Sequence, residues 1–168
     1  MAVRRSQAEP DLGMLAGRLL FAVQRELFGS LAEVGFDDLQ PRHGAVLAYL
    51  EVDGIRATEL SRLSGQHKQV IGTMIDELET LGYVERRPDP ADRRAKLVCP
   101  TERGQAQMAA ADKVMAALQE RHARRLGPER YAEFKAIFQD VVEHQRRGQG
   151  TVGLAWGGGG IRSSAVKA

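Results

Sequence analysis

The stretch HKQVIGTMIDELETLGYVERRPDPADRRAKLVCPT, residues 67–101, decides the fold of this 168-residue chain. Its first half repeats apolar residues at steps of three and four from Val70 to Leu81, the spacing of one buried helical face. Gly82 ends the pattern, as glycine commonly does after the last turn of a helix. The stretch therefore predicts an amphipathic helix that ends at Gly82 and is followed at once by the next element.

A basic hairpin follows that helix. Residues 83–86 and 95–98 favour strands, and residues 88–92 favour a turn-rich tip between them. The hairpin carries five basic and three acidic side chains, a net charge of two that equals the formal +2 of the whole chain: Arg86, Arg87, Arg93, Arg94 and Lys96 against Glu85, Asp89 and Asp92. Positive charge is thus concentrated here, although an ordinary solvated hairpin is an alternative interpretation.

Upstream, three further helices are predicted. An apolar stripe from Leu12 to Val34 indicates a long amphipathic helix that ends before Gly35. Pro41 favours the start of a second helix that ends near Glu51, with Val46, Leu47 and Leu50 on its inner face. Thr58 is expected to cap a third helix over residues 59–64, which the Ser64-Gly65 pair breaks.

Downstream, two long helices are predicted on either side of Gly127-Pro128. Their stripes step by three and four: Met108, Ala111, Met115, Leu118 and His122, then Tyr131, Phe134, Phe138, Val141 and Gln145. A four-helix bundle within one chain is one explanation of the terminal stripes. The glycine-rich tail, residues 149–168, lacks periodicity and is expected to be flexible.

The order helix, glycine turn, helix and basic hairpin is typical of a winged helix-turn-helix, whose second helix enters the DNA major groove. The expected fold class is mainly α with a small β-hairpin wing. Hydrogen-bonding or small residues at the start of that helix suit base edges and phosphates, and arginine suits phosphate or a narrow minor groove. The predicted DNA-binding residues are Gln66, His67, Lys68, Gln69, Gly72, Thr73, Arg86, Arg87, Asp92, Arg93 and Arg94, with Asp92 expected to hold a guanidinium in position.

The chain resembles the MarR family of transcriptional regulators from about residue 41 to residue 104. The resemblance rests on motifs in the expected order: Ala57-Thr58-Glu59-Leu60, Lys68-Gln69, Asp76-Glu77-Leu78-Glu79, Leu81-Gly82-Tyr83-Val84-Glu85-Arg86 and Asp89-Pro90-Ala91-Asp92-Arg93-Arg94. Cys99-Pro100 departs from the family pattern, and because proline lacks an N–H we expect the second wing strand to stop early.

The resemblance implies a homodimeric, ligand-responsive repressor or activator that binds a pseudo-palindromic operator. It implies a dimerisation helix in residues 1–40, a DNA-binding region in 41–100 and dimerisation helices in 101–148. It also implies a crevice between the dimer helices and the winged domain that takes small aromatic acids or phenols. Phe21, Arg25 and His43 are the candidates to line it, although Phe21 could be ordinary core and Arg25 an ordinary solvated charge.

Other classes of function find less support in the sequence. No nucleophile lies beside a base, the four histidines form no cluster at metal-ligand spacing, and Gly157–Gly160 lacks the strand and lysine of a phosphate loop. We therefore expect no enzyme, no metal and no cofactor. Without a signal peptide or membrane span, a cytoplasmic protein is expected, and the lone Cys99 is expected to be a small buried residue.

Two functions remain at this point. The first is a ligand-controlled regulator that binds double-stranded DNA. The second is a winged-helix module whose basic hairpin meets an acidic protein partner. Polar residues at the helix start together with paired arginines in the wing favour the first, because a protein-docking surface has no need of that combination.

Overall fold

The structure, a computed structural model, describes residues 9–149; the predicted tail from residue 150 onward lies outside the described residues. The elements, in chain order, are α1 (Leu12–Glu33), a 3-10 turn (Pro41–His43), α2 (Gly44–Leu47), β1 (Ile55–Arg56), α3 (Ala57–Ser64), α4 (Lys68–Thr80), β2 (Val84–Asp89), β3 (Asp92–Pro100), α5 (Glu102–Leu126) and α6 (Pro128–Gln149). The predicted fold class, mainly helical with a small β-hairpin wing, is confirmed. The tail was predicted to begin at residue 149, but Gln149 is the last residue of α6.

The described residues divide into two compact units, 9–118 and 119–149. The first unit holds the apolar core, to which α4 contributes Ile71, Met74, Ile75 and Leu78. These side chains meet buried residues from the helices before α4 and from the sheet after it: Leu31, Val46, Leu60, Tyr83, Val84 and Val98. The helix-turn-helix and the wing are therefore packed around one core.

Helix α1 begins where Asp11 caps it, with the Asp11 carboxylate accepting a hydrogen bond from the Met14 N–H at 2.8 Å. Gly35 follows the helix with a φ of 96°, as predicted for its end. Within the helix only Leu31 is buried, and the N-terminal part of the stripe, including Leu12 and Leu15, is exposed. The described residues therefore bury only part of the apolar face of α1.

The second helix is shorter than predicted. After Pro41–His43 and the four residues of α2, the Tyr49 N–H bonds to the Val46 carbonyl at 3.1 Å, which tightens the last turn. The chain then leaves the helical path, so the prediction of a helix to Glu51 is wrong. Leu50 is nevertheless buried, because the turn brings it back onto the core.

The third helix begins one residue before the predicted cap. β1 runs straight into α3, so Arg56 occupies the N-cap position without a side-chain bond, and Thr58 lies inside the first turn. The prediction of a Thr58 cap is therefore wrong. The end of the helix was predicted correctly, since Gly65 takes up a left-handed conformation with a φ of 70°.

The three strands form an antiparallel sheet in the order β1-β3-β2. Both wing strands are longer than predicted, so Pro88 and Asp89 belong to β2 and the turn narrows to residues 90–91. A register irregularity lies between Pro88 and Asp89. The hairpin therefore extends the ladder almost to its tip.

The prediction that Pro100 shortens the return strand is wrong, because Pro100 pairs with Val84 at the end of β3. The Thr101 N–H donates to the Tyr83 carbonyl at 3.0 Å, so the neighbouring Val84–Pro100 pair is the one without hydrogen bonds. The nitrogen of Pro100 faces away from β2, on the side where β1 does not extend so far. The missing N–H costs the ladder nothing.

Cys99, also in β3, is buried beneath the turn that precedes β1. Gly54 in that turn has a φ of 90°, and a Cβ placed on it would overlap the Cys99 Sγ. Only glycine fits this position without a shift, because both the backbone conformation and the space exclude a side chain.

The second unit contains the end of α5 and all of α6. Gly127, with a φ of 91°, and Pro128 separate the two helices as predicted. None of the described side chains of α6 is buried. Tyr131, Phe134 and Phe138 stack along the helix, with ring centroids 6.4 and 5.7 Å apart.

Candidate nucleic-acid interface

Two serines hold the turn that leads into α4. The Ser61 hydroxyl donates to the Gln66 carbonyl at 2.7 Å, and the Ser64 hydroxyl accepts from the Gln66 N–H at 3.2 Å. With Gly65 in the left-handed conformation, these bonds fix where α4 begins relative to α3. The position of the second helix of the pair is thus set by local contacts.

The start of α4 presents polar side chains to solvent. Gln66, His67, Lys68 and Gln69 are exposed, as is Thr73, whose hydroxyl donates to the Gln69 carbonyl at 3.1 Å. Gly72 is half-buried on the flank of the helix. The buried face of the helix points the opposite way, so these predicted residues share one accessible surface, and their contact with DNA stays a prediction.

Val70 belongs to the same surface, although its place in the apolar stripe predicted a buried side chain. It is 41% exposed. The buried set of α4 is already complete with Ile71, Met74, Ile75 and Leu78, spaced as i, i+3, i+4 and i+7, and Val70 falls one position outside it. An apolar side chain among polar ones at a helix start can contact a thymine methyl group, so Val70 joins the candidates.

The wing tip, residues 90–94, carries two exposed arginines, Arg93 and Arg94. Within residues 9–149, neither has an acidic partner for its guanidinium. Asp92 accepts a hydrogen bond from the backbone N–H of Arg94 at 3.0 Å, and the guanidinium nearest to its carboxylate is that of Arg56, at 3.9 Å. Asp92 therefore shapes the tip backbone.

A buried carboxylate anchors the wing tip to the body of the sheet. Asp89, 6% exposed, accepts hydrogen bonds from the Arg56 Nε at 2.7 Å and from the Ala91 N–H at 2.8 Å. The Ala91 bond first, and then Arg56, hold the pKa of Asp89 below its usual value. Sequence patterns gave no sign of this pair, because 33 residues separate its members.

The wing base, residues 84–87, carries two arginines that already have acidic partners. Arg86 bonds to Asp76 at 2.5 Å and also to Glu79, so its guanidinium lies against α4. Arg87 bonds to Glu85, with its Nε 2.9 Å from a carboxylate oxygen. The predicted contact of Arg86 and Arg87 with DNA is untested, but in this structure both serve bonds within the protein.

A cavity of about 910 Å³ lies within the first unit, which is the size of a small-molecule site. Its wall is mostly apolar and comes from α1, the 3-10 turn, α2, α4 and α5, with Leu27, Phe28, Met74, Met108 and Met115 among its residues. The Gln107 side chain is part of the wall, and its buried Oε1 has no hydrogen-bond partner among the described residues.

The three predicted ligand-binding residues do not line this cavity. Phe21 is 66% exposed and Arg25 is exposed as well, because both lie beside the stripe of α1 that forms the wall. His43 is buried with both ring nitrogens occupied. Their role in ligand binding stays a prediction that this cavity does not support.

A cluster of Arg42, His43 and Glu77 joins the cavity wall to α4. Arg42 lines the cavity, and its Nε and Nη2 lie 3.0 and 3.2 Å from the two carboxylate oxygens of Glu77. The His43 Nδ1 accepts from the Gln40 N–H at 3.1 Å, so its Nε2 carries the proton and donates to Glu77 at 2.9 Å. The bond from His43 first, and then that from Arg42, lower the pKa of Glu77.

Other kinds of site have less to build on. Among the described residues, no group of three or more His, Cys, Asp or Glu side chains could hold a metal ion. The helices between residues 9 and 149 include none long and apolar enough to cross a membrane.

Comparison with known proteins gives a consistent result. Residues 37–95 match the sequence profile of the MarR family. The transcriptional regulator HosA of Escherichia coli O111:H- is 26% identical over 106 residues, which cover 63% of this chain and 78% of HosA.

Solved structures are similar to this chain as well. CouR from Rhodococcus jostii RHA1, bound to p-coumaroyl-CoA, matches with a TM-score of 0.66 and 27% identity, over 80% of this chain and 94% of CouR. The transcriptional repressor CouR bound to a 23-mer DNA duplex matches with a TM-score of 0.65 and 24% identity, over 84% of this chain and 99% of that one; this second match shows the fold alone. Together with the winged helix-turn-helix described above, these matches show that residues 37–95 are similar to the winged helix-turn-helix of the MarR family of transcriptional regulators.

Proposed function

We propose that the protein is a homodimeric repressor that binds a pseudo-palindromic operator and is released by a small aromatic ligand. One observation carries the DNA-binding part of the proposal. At the start of α4 and at the wing tip, exposed polar or basic side chains have no ion pair to an acidic side chain among the described residues, and both surfaces are fixed to one core. Such a pair of surfaces suits a helix in the major groove and an arginine pair on the neighbouring backbone or minor groove.

Exposed apolar side chains support the homodimer. In the first unit, α1 exposes Leu12, Leu15, Leu20 and Phe21, and in the second unit α6 exposes Phe134 and Ile137. Large exposed apolar surface, taken on each unit by itself, is uncommon on soluble monomers and marks interaction sites. A second copy of the chain would cover it, and two-fold symmetry would place the two half-sites about 10 base pairs apart.

The cavity supports control by a ligand. It is mostly apolar, it has the volume of a small-molecule site, and its wall includes Gln107, whose buried acceptor has no partner within residues 9–149. CouR has been solved with p-coumaroyl-CoA, and the transcriptional repressor CouR has also been solved with a DNA duplex. We extend repression and an aromatic effector to this chain as part of the proposal.

Fluorescence anisotropy with DNA from the region upstream of the protein's own coding sequence tests operator binding, and sedimentation tests the dimer. We expect a dimer at micromolar concentration that binds one duplex with a strong salt dependence. A monomer that still binds DNA as a single unit would contradict the dimer. Failure to bind any duplex, together with binding to acidic proteins, would favour the protein-interaction alternative.

A further inference from the structure

One side chain on the exposed surface at the start of α4 differs from its neighbours. Val70 is 41% exposed, whereas the exposed side chains around it, Lys68, Gln69 and Thr73, are polar. Single apolar side chains are common on protein surfaces, so exposure alone does not point to a function. What distinguishes Val70 is its residue type and its place on the helix.

The fold has little need of a valine at this position. The buried face of α4, which runs from Ile71 to Leu78, is complete without Val70. Valine has a lower helix propensity than alanine, lysine or glutamine, because the preceding turn of the helix restricts its χ1 angle. In the free protein an exposed valine therefore weakens the helix and leaves apolar surface in water. A partner that covers the side chain would offset both costs.

The branched side chain of Val70 suits a rigid apolar contact. In a helix one χ1 rotamer of valine is strongly preferred, so its two methyl groups keep one direction. Lys68 and Gln69 have several rotatable bonds each, and they lose more conformational entropy when a partner fixes them. Val70 can therefore distinguish groups that differ by one methyl without first having to be ordered.

The major groove offers one apolar group that matches such a side chain. Base edges present hydrogen-bond donors and acceptors there, and thymine adds the methyl group on its C5 atom. Cytosine carries a hydrogen on C5 unless that atom is methylated. Polar side chains at the start of α4 suit the donors and acceptors, and an apolar side chain of fixed direction suits the methyl group.

We propose that Val70 reads the 5-methyl group of one pyrimidine in each half-site of the operator. Thymine and C5-methylated cytosine both present this group, so the chemistry that Val70 recognises is that of a 5-methylpyrimidine. The inference rests on the proposed function, in which α4 enters the major groove. It adds one specificity-determining residue and the group that this residue contacts, and it makes operator binding sensitive to cytosine methylation at the same position.

The expected effect follows from the burial of one methyl group. Loss of one such group from an apolar contact weakens binding about fourfold. Contributions from well-separated positions are nearly additive in free energy, so the loss should reach about 15-fold when both half-sites are changed.

The first test changes only the DNA. The full-length protein is titrated by fluorescence anisotropy with its operator, in which each thymine is replaced in turn by uracil, a base that pairs in the same way but lacks the 5-methyl group. We expect one position in each half-site at which uracil weakens binding about fourfold. When a cytosine–guanine pair is placed at that position, methylation of the cytosine C5 should strengthen binding by about the same factor.

The second test changes the side chain. Val70→Ala should bind the thymine and uracil operators within about 1.5-fold of each other, because the DNA methyl group then has no apolar partner. Alanine favours the helix, and circular dichroism checks that the variant is folded. Val52→Ala is the matched control: it truncates another exposed valine, 65% exposed in the turn before β1, and it should keep the fourfold preference for thymine.

Contrary results are distinguishable. If the operator is bound but no uracil replacement costs more than about 1.5-fold, the inference is wrong while the proposed function stands. If Val70→Ala keeps the thymine preference, another side chain reads the methyl group; its loss in Thr73→Ser, which removes a methyl group and keeps the hydroxyl, would assign it to Thr73.

The cytosine measurement decides the shared chemistry. A uracil effect without a matching gain from 5-methylcytosine would overturn recognition of a 5-methylpyrimidine, because thymine would then be read through another property of its base pair. Absence of binding to any duplex would overturn the proposed function and this inference with it.

Discussion

The wing base and the wing tip each carry two adjacent arginines, but they use them differently. At the base, Arg86 bonds to two acidic residues of α4 and Arg87 to Glu85. At the tip, Arg93 and Arg94 are exposed, and no ion pair joins them to another described residue. The same residue type thus holds the wing to the protein at one end and leaves positive charge for a partner at the other.

This difference teaches that the charge of a segment does not locate its binding surface. The hairpin has a net charge of two, but the charges of the two arginines at the wing base are neutralised by ion pairs within the protein. What remains available is the tip, supported from below by Asp89 and Arg56. We therefore expect the affinity for DNA to depend on the wing tip and the stability of the protein to depend on the wing base.

The largest expected effect is on the wing tip. Replacing both Arg93 and Arg94 by Ala should weaken binding to every operator by about 100-fold, or about 2.7 kcal/mol, and lower the salt slope by about two, because two phosphate-directed charges are lost. Anisotropy titrations at several salt concentrations measure both quantities. The matched control is the Arg86→Ala, Arg87→Ala double variant, which removes equal charge from the base; an equal loss there would remove the distinction between base and tip.

The next effect concerns sequence discrimination by α4. Lys68→Ala and Gln69→Ala should each reduce the preference for the operator over a single-base variant by about 1–3 kcal/mol, because side chains at the helix start read base edges. Competition titrations with a set of mutated operators measure this. A uniform loss across all sequences would instead indicate phosphate contacts.

A smaller effect tests the anchor of the tip. Asp89→Asn makes the chain more positive, which by charge alone would strengthen DNA binding. We expect the opposite, a loss of about fivefold, because Arg56 and the 90–91 turn lose the carboxylate that orders the tip, and ordering must then occur on binding. Tighter binding by this variant would show that the anchor does not position the arginines.

The smallest expected effects are changes in the free energy of unfolding caused by replacing the arginines of the wing base. Arg86→Ala should lower the free energy of unfolding by about 1 kcal/mol, since the Arg86 side chain is only 28% exposed and is bonded to α4, whereas Arg87→Ala should change it by less than about 0.5 kcal/mol. Urea denaturation followed by circular dichroism compares the two. If the two variants lose the same free energy of unfolding, the contact of Arg86 with α4 stabilises the protein no more than an exposed ion pair does.

Local signals in the sequence predicted the helices and their breaks, because periodicity and glycine act over a few residues. Gly35, Gly82 and Gly127 ended helices as expected. Contacts between distant residues were not predictable in this way: Arg56 with Asp89 and Arg42 with Glu77 are 33 and 35 residues apart. Several carboxylates lie near each arginine in sequence, and only the folded chain selects among them.

The cavity wall is a second case in which local sequence signals predict one helix face but not the contacts between distant elements. The α1 stripe through Val23, Leu27 and Leu31 was recognised, and it does line the cavity. The chemistry of Phe21 and Arg25 makes them candidate ligand residues, but they lie beside that stripe. A helical face is readable from spacing, whereas the elements that face it across a cavity are not.

The turn that places Gly54 over Cys99 gives this protein a built-in reporter of local opening. A buried thiol reacts with an alkylating reagent only while the turn at Gly54 is lifted from β3, so the ratio of its labelling rate to that of an unstructured thiol gives the open fraction. Because the sequence has a single cysteine, the mass of the whole protein follows this one site. Cys99 lies in the same strand as the wing-tip arginines, so labelling in the presence and absence of operator would measure how far DNA contact at the tip steadies the other end of that strand.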